Sequence, residues 1–213
     1  MRCPTTGSSS VPRRRSGSSV AEAPRKVVLV GVGALGSHVL LFGRNWPVRF
    51  TVIDFDRVEQ KNVMAQFHSK MGVGRNKASA MQQALQGLYG LRIEAVPHRL
   101  VEDNVQTLLS GADLVLDCVD NAPTRDLIQQ HVRAHDIPCL HGAIAADGSY
   151  ARVMWDPQFT ADDGSKGVAT CEDGEHLPFI ALVSGRMAMT AQTWLQTGRQ
   201  RSCHLHPGGI VEI

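Results

Sequence analysis

Apolar positions in this chain fall in short continuous runs separated by stretches of helical period. VVLV at 27–30 reads as a buried strand that runs into a glycine-rich turn and then an apolar-faced helix, and RFTVIDFD at 49–56 reads as a second strand. The irregular RVEQKNVMAQFHSKMGVGRN follows, then KASAMQQALQGLYG, where Ala78, Met81, Leu85 and Leu88 recur at helical spacing. LRIEAVPHRL is expected to hold a strand. VEDNVQTLLSGADLVLDCVD gives a short helix, a stop at Gly111 and a fourth apolar strand, and TRDLIQQHVRAHDIPCLHGAI repeats helix then strand. Strands alternating with helices require crossovers. The expectation is therefore an α/β fold: a doubly wound, mostly parallel sheet with helices on both faces and ligands beyond the carboxyl ends of the strands, where the strand order reverses.

Beyond residue 147 the pattern changes. GSYARVMWD alternates like a strand, and PQFTADDGSKGVATCEDGEH is a long polar loop of the kind that is usually functional or disordered. Pro178 then opens a long amphipathic helix stopped at Gly198, and GGIVEI closes the sequence as a short edge strand.

Composition narrows the picture. The sequence has 213 residues, 43% of them hydrophobic, enough for one principal domain with a sizeable core. Residues 1–24 are rich in Ser, Gly, Pro and Arg and read as a disordered arm, leaving 25–213 as the folded domain. The arm shares its Arg- and Ser-rich character with organellar transit peptides and its RRR with twin-arginine signals, but no apolar region follows the arginines. No stretch has the apolar length needed to cross a bilayer, and the net charge of +2 gives no general attraction to nucleic acid. Five cysteines, Cys3, Cys118, Cys139, Cys171 and Cys203, form no disulfide framework and suit the cytoplasm. Cys118 and Cys139 lie in strand-like runs and are expected to be buried.

The candidate chemistry starts at the first turn. Gly31, Gly33 and Gly36 have the G-x-G-x-x-G spacing that makes a tight turn, admits a phosphate and lets the helix pack on the strand. Asp54 ends the second strand about twenty residues on, where a ribose-binding carboxylate is expected. This Rossmann-like pattern fits a hydride carrier as well as ATP. SCHLHP, with Cys203, His204 and His206, reads as a surface turn, since no second ligand group lies at a recognised metal spacing.

GVGALG, TVIDFDRVEQKNVMAQF, GVGRNKA and DCVDNAPTRDLI occur in an order and spacing that resembles the ThiF/MoeB/HesA family of ATP-dependent activating enzymes, over roughly residues 25–200. The resemblance implies ATP and Mg2+ as cofactors. It also implies adenylation of the C-terminal carboxylate of a small ubiquitin-like or sulfur-carrier protein, and a homodimer. Asp54 would bind the ribose, Asn62 and Gln66 would line the nucleotide, Lys77 would contact the phosphates, Asp120 would hold magnesium, and Asp56 and Asn121 would join the nucleotide-binding set. Asp54, Lys77 and Asp120 also have plain structural readings, as a loop cap, a solvated helix-start residue and a helix cap.

Two departures matter. The N-x-x-R-Q motif of the family carries a triphosphate-binding arginine, and this sequence has Ala65 there, as in the non-catalytic halves of heterodimeric activating enzymes. Arg57, Arg75, an arginine of the arm or one from a partner subunit would then have to substitute. Ala65→Arg is expected to strengthen ATP binding or adenylation if the site is weakened but otherwise competent. The two C-x-x-C pairs of the family's zinc site are also absent, so no zinc is expected. Cys171 sits where family members carry a cysteine that accepts the activated carrier as a thioester; it reads either as that nucleophile or as a free thiol. Besides the adenylating enzyme, a non-catalytic ATP-binding partner and a nicotinamide-dependent oxidoreductase remain open.

Overall fold

A computed structural model describes residues 23–160, 174 and 176–213. Among the described residues, eight strands form one sheet in the order β3-β2-β1-β4-β5-β6-β7-β8. β1 (Arg25–Val30), β2 (Val48–Ile53), β3 (Glu94–Val96), β4 (Leu114–Asp117) and β5 (Cys139–Ile144) pair in parallel, and the order reverses between β1 and β4. Val27–Leu29 and Leu114–Leu116 are fully buried, as strands covered on both faces must be. α1 (Ala34–Phe42), α2 (Lys77–Tyr89) and α5 (Leu177–Thr197) cover one face through Val39, Met81, Leu85 and Val183. α3 (Glu102–Leu109) and α4 (Ala122–Ala134) cover the other through Leu109, Ile128 and Val132. The irregular stretch after β2 contains two 3-10 turns, Gln60–Met64 and Lys70–Gly72.

The doubly wound part follows the sequence pattern closely. Leu88 is an exception: at 64% exposure it lies off the buried face of α2. The second part turns the sheet antiparallel, because β5 folds back through a tight turn into β6 (Ala151–Trp155). SCHLHP is corrected by the structure. It is not a surface turn but β7 (Cys203–His206), paired to β6, with Cys203 and Leu205 fully buried against α5 and His204 hydrogen-bonded to the Tyr150 hydroxyl. β8 (Gly209–Glu212) forms the expected edge strand. α5 ends at Gly198, whose φ of 71° is the left-handed cap position that favours glycine. No described helix is long and apolar enough to cross a membrane. Residues 1–22 of the expected arm and the loop residues 161–173, with Cys171 among them, lie outside the described residues.

Candidate functional site

The glycine turn follows β1, at the point of strand-order reversal. Its three glycines have separable reasons. Gly31 has φ 86°, and a Cβ there would lie 2.9 Å from the Cys118 carbonyl oxygen, so this glycine lets the turn lie against the chain leaving β4. A Cβ on Gly36 would lie 1.9 Å from the Gly31 oxygen, so helix and turn pack backbone to backbone. Gly33 differs: among the described residues a Cβ would meet only the Gln66 amide nitrogen, at 4.0 Å. The middle of the turn is therefore open, with room for a group to approach the backbone. Gly33 is also the N-cap of α1 and no side chain among the described residues caps that helix end, which makes its first amides available to an anion. Gln66 Oε1 is buried with no hydrogen-bond partner among the described residues, an orphaned polar atom beside the open glycine.

Asp54, just beyond β2, is buried and spends both oxygens on backbone. Oδ2 accepts the Val32 amide at 2.7 Å and Oδ1 accepts the Asp56 amide at 2.8 Å, which shapes the glycine turn from beneath. Burial raises its pKa against those hydrogen bonds. The Asn76 side chain donates to the Asp54 and Asp56 carbonyls at 2.7 and 3.1 Å and caps α2 by accepting the Ser79 amide, bringing Lys77 to the first turn of the helix. Lys77 Nζ stands 3.3 Å from Asp56 Oδ2, with the lysine side chain 10% exposed and the aspartate 49%. A shielded cation held by a half-exposed carboxylate is one that a phosphate can take over. His68, also buried, donates from Nε2 to the Val32 carbonyl at 2.9 Å. Burial drives its pKa down to about 4, so the ring is neutral.

On the other side of the turn, Asp120 is exposed beyond the end of β4, and no hydrogen bond or ion pair engages it among the described residues. It is not the helix cap. Asn121 takes that role, accepting the Thr124 amide at 3.1 Å. Asn62 likewise closes its 3-10 turn, accepting the Glu59 amide at 2.9 Å. The structure thus gathers Gly31, Gly33, Gly36, Asp54, Asp56, Gln66 and Lys77 around one turn, with Asp120 on the adjacent loop. Asn62, Asn121 and Asp54 all have backbone work to do as well.

Ala65, in the arginine position, is fully buried with Ala34 and Ile180. That changes the expectation for Ala65→Arg, because a guanidinium there has to displace α5 or the start of α1 before it reaches the turn. Arg57 donates to the Gly74 carbonyl at 2.7 Å and Arg75 to the Gln83 side chain, so both candidate substitutes are already engaged.

Sequence reading missed a second polar cluster below Asp120. Asp117 and His141 are register partners on β4 and β5. His141 Nδ1 lies 2.7 Å from Asp117 Oδ2 and its Nε2 3.1 Å from Asp156 Oδ1, all three residues being buried. Since carboxylates accept, both ring nitrogens donate and the imidazole carries a charge. Burial alone would depress this pKa, but the Cys139 sulfur and the two carboxylates outweigh it and push it up to about 11. Arg125 donates to Asp117 at 2.9 Å, and Arg133 and Gln129 donate to Asp156 at 2.7 and 3.0 Å. Phe159 stacks on the His141 ring at 4.4 Å. The only sequence signal was a histidine inside an otherwise apolar strand.

Comparison with known proteins fits this geometry. A sulfur carrier protein adenylyltransferase of Thermus thermophilus is 37% identical over 141 residues, covering 65% of this chain and 52% of its own length. A SAMP-activating enzyme E1 of Haloferax volcanii is 36% identical over 122 residues, 56% of this chain and 45% of the relative. The chain thus spans about half the length of these curated relatives. The structure of Escherichia coli MccB with ATP superposes with a TM-score of 0.72 at 14% identity, over 89% of this chain and 62% of that one, a likeness of fold. The sequence model of the ThiF family matches residues 20–204, and the chain belongs to that family.

Proposed function

We propose that this protein binds ATP and adenylates the C-terminal carboxylate of a small ubiquitin-like or sulfur-carrier protein. One observation carries the reading: the open side of Gly33, with an uncapped helix start and the orphaned Gln66 oxygen, lies at the turn whose flank holds the Lys77–Asp56 pair. The α1 amides and Lys77 would neutralise the phosphates as a carrier carboxylate oxygen attacks the α-phosphorus and the bond to the bridging oxygen breaks, releasing pyrophosphate. Asp120 suits magnesium, which is usually held by one or two carboxylates plus the substrate's own phosphates. When bound, the metal would supply charge neutralisation. Asp54 would hold the turn in shape from below and offer remaining lone pairs to the ribose.

Asp120→Ala should leave the fold intact and reduce carrier-dependent exchange of labelled pyrophosphate into ATP by about a hundredfold or more, several kcal/mol of barrier. Full exchange in the folded variant would remove Asp120 from the site. The buried Ala65 favours one second reading, a non-catalytic partner of an active subunit, which predicts ATP binding without exchange. For Cys171, the reading is transfer: its thiolate attacks the acyl carbon of the adenylate and AMP leaves. Cys171→Ala should then retain exchange but lose the reducible carrier adduct on a non-reducing gel. A homodimer completes the reading. Free buried Cys118, Cys139 and Cys203 fit the cytoplasm.

A further inference from the structure

The loop that carries Asp120 is braced from below. Asp117 Oδ1 accepts the Val119 amide at 3.0 Å, so the last residue of β4 fixes the direction in which the chain departs. Arg125, on the first turns of α4, donates Nε to Asp117 Oδ2 and Nη2 to the carbonyls of Val119 and, at 3.0 Å, Gly142. Both backbone polar groups of Val119 are thereby held by one carboxylate–guanidinium pair. Asp117 is itself held by His141, whose other ring nitrogen reaches Asp156, and Asp156 is anchored by Arg133 and Gln129. The Asp117 and His141 side chains are fully shielded from solvent, and water cannot replace a missing partner there.

We propose that His141 is a positioning residue for the reaction: by tying Asp117 to Asp156 it fixes the Val119–Asp120 backbone, and so sets where the Asp120 carboxylate meets magnesium nucleotide. The imidazole hydrogen-bonds the β4 end to the segment after β6, where the Arg125 guanidinium makes only a ring contact, 5.3 Å from the Phe159 centroid. Its two donors match two carboxylates on opposite sides of the ring, and the stacked Phe159 fixes the ring plane. The proposal rests on the adenylation reading for its ligand.

The test uses the full chain as wild type, Asp120→Ala, His141→Gln and Asp156→Asn. Two quantities are measured: backbone hydrogen exchange of residues 118–121 without ligand, and ATP affinity with magnesium and with chelator. Glutamine cannot serve both carboxylates. His141→Gln should exchange at 118–121 at least tenfold faster with β1 and β2 unchanged, and should bind magnesium ATP about tenfold more weakly with metal-free ATP unaffected. A merely structural histidine would loosen all strands together and both affinities alike, which overturns the proposal. Should His141→Gln fail to fold, Asp156→Asn, which keeps the Asp117 bond and weakens only the far anchor, should show the same selective pattern at about threefold. Unchanged exchange and affinity there overturn the proposal. Wild-type affinity indifferent to magnesium, or to Asp120→Ala, overturns the adenylation reading and this inference together. A magnesium- and Asp120-dependent affinity that His141→Gln leaves intact overturns this inference alone.

Discussion

Two histidines are buried on either side of the strand-order reversal, and they carry opposite charge states. His68, beneath the glycine turn, bonds a backbone carbonyl, and the neighbouring Asp54 bonds backbone amides. Each group there needs only its neutral or singly bonded complement, so burial decides and the ring stays neutral, its pKa lowered to about 4. His141, beneath the Asp120 loop, bonds two carboxylates and is pushed up to about 11. Similar depth gives opposite outcomes because the partners differ in kind. A carbonyl asks for one proton, a pair of carboxylates asks for two. The first cluster uses side chains to shape backbone around an expected ligand, and the second uses side chains to hold one another.

The largest effect should come from breaking the charged cluster. His141→Phe leaves Asp117 and Asp156 facing an apolar ring, and removal of one partner from a buried ion pair costs about 3–5 kcal/mol. Denaturant unfolding would read this directly; a loss below about 1 kcal/mol would mean that the cluster is wet or rearranged. The sign of the pH dependence follows from the raised pKa. Its stabilisation is fully present below the unfolded value of about 6.5 and is lost as pH rises toward 11, at up to ~1.4 kcal/mol per pH unit. The slope is best measured between about pH 7 and 8.5, because Cys118 and Cys139, raised by burial, add a loss of the same sign once unfolded thiols ionise. His141→Gln should remove the slope below that point.

Next in size is a substitution that tests the neutral side. Ala65 packs without exposure against Ala34 and Ile180. Ala65→Arg should cost about 1–3 kcal/mol by overpacking, with no gain in ATP affinity, as read from thermal unfolding beside nucleotide titration. Tighter ATP binding at unchanged stability would mean that α5 yields and that the site lacked only its arginine.

The two clusters also differ in how far the sequence disclosed them. Gly31, Gly33, Gly36, Asp54 and Lys77 belong to local patterns, since a turn and a helix start are built from neighbours in the chain, and the structure brings them together as that predicts. The same locality made β1, β2, β4 and β5 readable as apolar runs. His141 meets Asp117 and Asp156 across 24 and 15 residues, through a strand register and a hairpin that no local pattern encodes. β7 was missed for a related reason: in CHLH the apolar alternation is only four residues long, and its two histidines draw attention to metal chemistry rather than to Cys203 and Leu205 facing the core. Asp120 was open to reading as a cap of the following helix, and the hydrogen bond from the Thr124 amide gives that role to its neighbour Asn121 instead.

The smallest expected effect sharpens the comparison most. His68 is neutral in the folded protein down to about pH 4, whereas an unfolded histidine takes up its proton near 6.5. Between those values the unfolded chain binds the extra proton, so stability falls as pH falls, the opposite direction to His141. His68→Gln keeps a side-chain N–H for the Val32 carbonyl and has nothing to titrate. It should therefore leave stability near neutrality within about 1 kcal/mol while flattening the descent between about pH 6.5 and 4.5. Part of the descent should remain, because His38 and His131 are lowered by burial too. Asp117 and Asp156 do not interfere in this window: their pKa values are lowered, so the stability they contribute is lost only below about pH 4. An acid limb of unchanged steepness in His68→Gln would show that His68 is protonated in the folded state. The glycine turn would then already hold a positive charge beneath it, and the contrast between the two clusters would disappear.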